Sequence, residues 1–254
     1  MADIVVETIG KVVVVTLDRP PVNVLTLDTY ELIADTFDAI GLRTDVHCAA
    51  FTARGGKAFC AGLDLKEFLA AKLEDDPKRA AIVRRTFASV RHCAIPVIGA
   101  INGPALGAGC VLASVCDFRL ASDNATFGMP EINVGRCGGT AHMGRHLPQG
   151  MLRRMFFTGS PIGAAEAYRF GFVEEVLPLT ELMPRAMALA ELVAGKAPLG
   201  LRMGKAAMNE TEYLAVEEGY AVEQRYSTKL MATEDAREAT RAVVEKRKPV
   251  FTGR

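Results

Sequence analysis

Two predominantly apolar runs of strand length, "VHCAAFTA" at 46–53 and "IPVIGAI" at 95–101, constrain the chain most. Runs this short, bounded by turn residues, fit strands buried inside a sheet. Between them, after the charged stretch "LEDDPKR", a helical pattern covers about 80–91. Strand, helix and strand in that order predict parallel βαβ units and an α/β fold. Upstream, "DIVVET" and "KVVVVTLD" flank Ile9-Gly10 as a hairpin. Thr26 is a good N-cap for an amphipathic helix from Leu27 to Ile40, with Leu32, Ile33, Phe37 and Ile40 on one face. "CAGLDLKEFLAAKL" then runs from a glycine into a helical pattern.

Past Met129 the pattern becomes helical, with segments near 140–157, 163–170, 180–195, 198–209, 212–230 and 233–246 and "FVEEVL" as the one obvious strand. We therefore expect an α/β core over 1–195 and a helical region over 196–254, continuous with it. Half of the 254 residues are hydrophobic, yet no apolar run approaches the length of a membrane span. Thirty basic residues balance thirty acidic ones and aromatic content is 7%, which argues against nucleic acid or an anionic membrane as partner. The opening "MADIVVETIG" has acids early and no basic-then-apolar order, so no secretory or mitochondrial signal is expected. Six cysteines without a CxxC pair fit buried free thiols in a reducing cytoplasm.

The stretch "GPALGAGC", Gly103 to Cys110, joins an apolar strand pattern to an apolar helix pattern. It is no dinucleotide fingerprint, because Leu112 stands where the third glycine belongs, and "GGKAF" and "MGKAA" fail as phosphate loops. His142 and His146 are four apart, but Met143 occupies the place of a metalloprotease glutamate and no third ligand stands out, so no metal is expected. No GxSxG elbow supports a serine hydrolase. What remains is a pair of junctions, Ala61 to Leu63 and Gly107 to Gly109, where a strand or loop gives way to a helix. The first N–H groups of a helix lack intrahelical partners and attract negative charge. Two such starts facing each other would form an oxyanion hole from backbone alone. The bland alternative is that the glycines only permit close helix-on-sheet packing. In "TFGMPEINVG", Glu131 is either a surface carboxylate or, among Met129, Pro130, Ile132 and Val134, a half-buried base with a raised pKa.

"AFCAGLDLKEF", "IPVIGAINGPALGAGCVLASVCDFRLASDNATFGMPEINVG" and the tail "VEKRKPVFTGR" resemble the crotonase, or enoyl-CoA hydratase/isomerase, superfamily over nearly the whole chain. The resemblance implies a crotonase-like spiral of β-β-α units, with C-terminal helices that pack a homotrimer or a hexamer of two trimers. It implies an acyl-CoA substrate, coenzyme A being part of the substrate and no separate cofactor being needed. By position, the oxyanion donors would be the N–H groups of Leu63 and Ala108. Ala61, Asp64, Leu65 and Lys66 fall where the family meets the CoA moiety. Phe251, with Lys248 and Arg254, falls where a neighbouring subunit's tail can reach the nucleotide.

The departures from the family pattern are as informative. Hydratases of this family carry a second glutamate in "GGGCELA"; here Val111 stands at that position and Glu131 alone remains. The loop "INVGRCGGTAH" looks about three residues shorter than the usual hydratase version and brings Arg136 and Cys137 near Glu131 in sequence. With Val111 and Pro130 these are expected to line the acyl pocket, and Arg136 is expected to pair with a substrate carboxylate or with Glu131. One base and an oxyanion hole suffice to move a double bond, so isomerase-type proton transfer leads. An enoyl-CoA hydratase with a substitute second group, and a catalytically silent acyl-CoA binder, are the alternatives.

Overall fold

The computed structural model describes residues 3–254. Met1 and Ala2, where the expectation about a leader begins, lie outside the described residues. The expected hairpin is present: β1 (Ile4–Ile9) pairs antiparallel with β2 (Val12–Leu17), and Gly10 makes the turn at φ +59°. Next, α1 (Leu27–Leu42) begins as predicted, the Thr26 hydroxyl accepting from the Thr29 N–H at 3.3 Å. Its buried stripe is Tyr30, Ile33, Phe37 and Ile40, at spacings of three and four. Leu32, expected on that face, lies off the stripe and is exposed.

β3 (Cys48–Ala53) is buried along its whole length. The helix expected after Gly62 is only α2 (Leu65–Ala70), about a turn and a half long. Then α3 (Asp76–Arg91) starts four residues ahead of the expected Ala80, because Pro77 in the first turn lacks only an N–H that has no helical acceptor. β4 (Val97–Ile101), the short β5 (Ala105–Leu106) and α4 (Ala108–Ser114) follow. Two strands unassigned in the sequence come next, β6 (Phe118–Ser122) and β7 (Thr126–Gly128). Arg119 masks β6 by placing a cation in a buried strand. The residue is 2% exposed, and its guanidinium donates to the carbonyls of Phe172 (2.5 Å) and Cys116 (3.1 Å), with Glu174 at 3.4 Å.

The helix expected over 140–157 is two pieces, α5 (Thr140–Met143) and α6 (Gln149–Thr158), interrupted at Gly144 to Pro148. β8 (Ile162–Gly163), α7 (Ala164–Arg169), β9 (Glu175–Leu177) and α8 (Leu179–Ala194) complete the core. α9 (Pro198–Thr211), α10 (Val216–Met231) and α11 (Glu234–Val244) end the chain.

A six-stranded sheet runs β1-β2-β3-β4-β6-β9, parallel except for β1, and a small sheet runs β5-β7-β8. Both faces of the large sheet are covered. On one, Leu182, Ala186, Ala190 and Ala194 of α8 pack against Val12, Cys48, Ile98 and Leu120. On the other, Phe37, Phe51 and Phe59 meet edge to face, with centroids 5.2 and 5.5 Å apart. This β-β-α arrangement with helices at the C-terminus is the one that the resemblance implies, and α3 and α4 carry their first turns toward one cavity. No described helix is long and apolar enough to cross a membrane.

Candidate active site

The glycines at the β5–α4 junction have separate jobs. A Cβ on Gly109 would sit 2.2 Å from the Cys60 carbonyl oxygen, so only glycine lets α4 lie against that backbone. Close packing, the bland alternative, accounts for this one. Gly107 instead adopts φ +53° and caps α4 without a side chain. The Ala108 N–H consequently has no acceptor among the described residues, while Gly107 N–H donates to Gly128 O (2.9 Å) and Val111 N–H to Gly107 O (3.0 Å).

The Leu63 N–H is likewise without an acceptor, between Gly62, whose carbonyl takes the Leu25 N–H, and Asp64, whose N–H donates to Leu25 O, each at 2.8 Å. The two stretches adjoin, since a Cβ on Gly62 would lie 3.8 Å from Ala108 N. One expectation needs correction here. The start of α2 is not open to an anion, because the Asp64 carboxylate accepts from the N–H groups of Lys66 (3.0 Å) and Glu67 (3.1 Å). Leu63 lies ahead of that cap, so its free N–H belongs to a loop and not to a helix start.

Glu131 sits in a single 3-10 turn, Pro130–Val134, that ends at the left-handed Gly135. Its Oε1 lies 3.1 Å from where a Cβ on Gly107 would be, which places the carboxylate beside the free amide of α4. Its Oε2 is buried and has no hydrogen-bond partner among the described residues. Burial raises the carboxyl pKa above the ordinary range. Val111 is 1% exposed, and a Cβ on Gly139 would fall 2.6 Å from its Cγ2, so the glycine loop closes onto the valine.

These groups border a cavity of about 330 Å³. Leu63, Ala108, Val111 and Glu131 line it, as do Arg136 and Cys137 at the loop. Arg136 does not pair with Glu131 through its side chain. It meets Asp76 at 3.3 Å and lies over the Phe68 ring at 4.6 Å, while its backbone N–H donates to Glu131 O. Cys137 is exposed; the other five thiols, Cys48, Cys60, Cys93, Cys110 and Cys116, are free and buried.

Other expected residues fall outside the cavity lining. Pro130 starts the turn that carries Glu131 but does not face the cavity, and Ala61, Asp64, Leu65 and Lys66 lie along the adjoining loop and α2. Phe251 is remote within this chain, packed near the β1–β2 turn and the end of α8. The tail around it is tied down, since the buried Asp235 accepts from the amides of Thr252 (2.7 Å) and Gly253 (2.8 Å).

Sequence reasoning missed Tyr30, Phe68, Arg79, Arg84 and Phe87, all of which line the cavity. The apolar spacing Ala80, Val83, Phe87 on α3 is the signal that could have found that wall. The histidines diverge: His142 faces the cavity, whereas His146 Nε2 lies 2.9 Å from Ser114 O. Among the described residues no cluster of three or more His, Cys, Asp or Glu side chains is arranged to hold a metal ion.

The family model for enoyl-CoA hydratase/isomerase matches residues 7–254. A short-chain-enoyl-CoA hydratase of Clostridium acetobutylicum is 34% identical over 250 residues, covering 97% of this chain and 96% of that protein. A 2,3-dehydroadipyl-CoA hydratase of Escherichia coli is 34% identical over the full length of both. The crystal structure of an enoyl-CoA hydratase from Bacillus anthracis superimposes with a TM-score of 0.95 at 32% identity and full coverage of both chains. The chain is therefore a member of the enoyl-CoA hydratase/isomerase family, within the crotonase superfamily.

Proposed function

We propose that this enzyme shifts a double bond in an enoyl-CoA thioester, with Glu131 as the sole acid-base group. Glu131 takes a proton from C2 of a 3-enoyl-CoA, and the electron pair moves onto the thioester oxygen to give a dienolate. The Leu63 and Ala108 N–H groups stabilise that oxygen. The electrons then return, the carboxylic acid delivers its proton to C4, and the double bond ends between C2 and C3 with no water consumed. One backbone donor of this kind contributes roughly 3 kcal/mol to the transition state. A positioned base contributes about a hundredfold to ten-thousandfold.

The observation that carries this reading is the pairing of a buried, unpartnered Glu131 oxygen with an apolar Val111 where a second carboxylate would be needed for water addition. The contact between Gly139 and Val111 supports it, because the loop occupies space that a longer acidic side chain would claim. CoA would run along the Ala61 to Lys66 stretch. Exposed Met208, Tyr220, Met231 and Val243 on the C-terminal helices favour a homotrimer, or a hexamer of two trimers, as the assembled form.

A hydratase reading has one specific point in its favour, the names of the relatives above. A panel of 3-enoyl-CoA and 2-enoyl-CoA thioesters, followed by mass and by conjugated-enoyl absorbance, separates the two. Isomerisation raises the absorbance of 3-enoyl substrates at constant mass. A product heavier by one water, formed from 2-enoyl substrates at the faster rate, would replace this assignment with hydration.

A further inference from the structure

The cavity lining holds two polar groups that the proton transfer does not use. Tyr30 is 4% exposed, and its ring stands edge-on to Phe87 with centroids 6.2 Å apart. His142 meets the same Phe87 ring edge-on at 5.5 Å. All three side chains line the cavity. The backbone of Tyr30 is satisfied, its N–H donating to Thr26 O (3.0 Å) and its carbonyl accepting from the Thr86 hydroxyl (2.8 Å). Its phenol oxygen has no hydrogen-bond partner among the described residues, and neither ring nitrogen of His142 has one.

A tyrosine hydroxyl that opens onto the cavity without a partner on the protein is left to bond whatever fills that cavity. Phenylalanine would keep the edge contact with Phe87, so packing alone does not account for the oxygen. Burial raises the phenol pKa, so Tyr30 is a proton donor and not an anion. Burial, followed by the nearby Arg145 and Arg91, lowers the His142 pKa, so its imidazole is neutral, with one N–H to give and one nitrogen to accept. Around them the wall is apolar, with Leu25, Leu27 and Val83.

We propose that Tyr30 and His142 are specificity residues that hydrogen-bond an oxygen on the acyl chain, so that the preferred substrates are oxygenated acyl-CoA thioesters carrying a keto, hydroxyl or carboxylate group beyond the reacting carbons. The inference rests on the reading of this cavity as the acyl pocket. Recognition of this kind discriminates strongly, because a plain hydrocarbon chain would cover both polar groups and leave them unpaired.

The test is binding of unreactive six-carbon thioesters, namely hexanoyl-CoA, a keto-hexanoyl-CoA and adipoyl-CoA, to the full-length protein and to Tyr30→Phe and His142→Phe. Calorimetry should show the wild type binding at least one oxygenated ligand tenfold or more tightly than hexanoyl-CoA. Each substitution should remove most of that preference while leaving hexanoyl-CoA affinity within about twofold and Tm unchanged or higher. The keto and carboxylate arms then say which oxygen is read. Equal affinity for all three ligands in the wild type, or an equal loss for all three in Tyr30→Phe, overturns the proposal; the latter points to a bound water. Because saturated thioesters undergo no reaction, failure here is separate from failure of the double-bond shift. If no thioester binds at all, both readings fall.

Discussion

The chain approaches the site at two junctions, and these treat their backbone amides differently. At α2, Asp64 places a carboxylate over the first turn, takes up the amides of Lys66 and Glu67, and pairs with Arg19 at 3.5 Å. At α4, Gly107 offers no side chain, and the first amide of the helix stays free beside Glu131. The capped start is stabilised by the chain itself; the bare start leaves its donor without an acceptor among the described residues. Resemblance in sequence, two small-residue junctions before two helices, therefore conceals a difference in kind. The free donor on the α2 side is Leu63, which precedes the cap.

Substitutions can break or sharpen that contrast. The largest effect is expected from Glu131→Gln, which keeps the shape of the side chain and removes the base: 3-enoyl-CoA turnover should fall by about a hundredfold to ten-thousandfold. The wild-type rate should rise with pH along a limb set by Glu131, at a pKa above the usual carboxylate range. The stability consequence follows the same shift. A carboxyl that binds its proton more tightly folded than unfolded stabilises the fold at acid pH, and that stabilisation is lost as pH rises through the raised pKa. Glu131→Gln should thus melt above the wild type at neutral pH, with the gap closing in acid, and a pH series of Tm values checks this.

A smaller effect is expected from Gly107→Ala. The positive-φ backbone, with ψ at −120°, would cost about 1–3 kcal/mol with a side chain, and the new methyl would press on Glu131 Oε1, so activity should fall about tenfold while the protein stays folded. Steady-state rates and circular dichroism together check it. The smallest is Asp64→Ala. Losing the cap should lower Tm slightly and leave kcat nearly unchanged, because the amides it releases do not face the cavity. A large loss of kcat would mean that the α2 cap shapes the site after all.

What the sequence revealed follows from the range of the interactions involved. β3, β4 and the Thr26 cap are set by neighbouring residues and could be read locally; the exclusion of larger side chains at Gly107 and Gly109 comes from Glu131 and Cys60, which are distant in sequence. Glu131 was legible as a candidate because an acid among apolar neighbours is itself a local anomaly. Arg136 was legible as a lining residue, but its pairing was not, since its partner Asp76 lies 60 positions away. Tyr30 read only as part of a helix stripe, because nothing local indicates that its hydroxyl opens onto a cavity. The spacing of His142 and His146 presumed a continuous helix; the break after Met143 sends one ring to the cavity and the other to Ser114.

The central claim is that two unspent backbone amides grip a thioester oxygen, and the infrared carbonyl stretch of a carbonyl-labelled acyl-CoA bound to Glu131→Gln tests it most directly. The account predicts a clear shift to lower frequency on binding, diminished when Gly107→Ala is added. A bound carbonyl that absorbs where it does in free solution would contradict it.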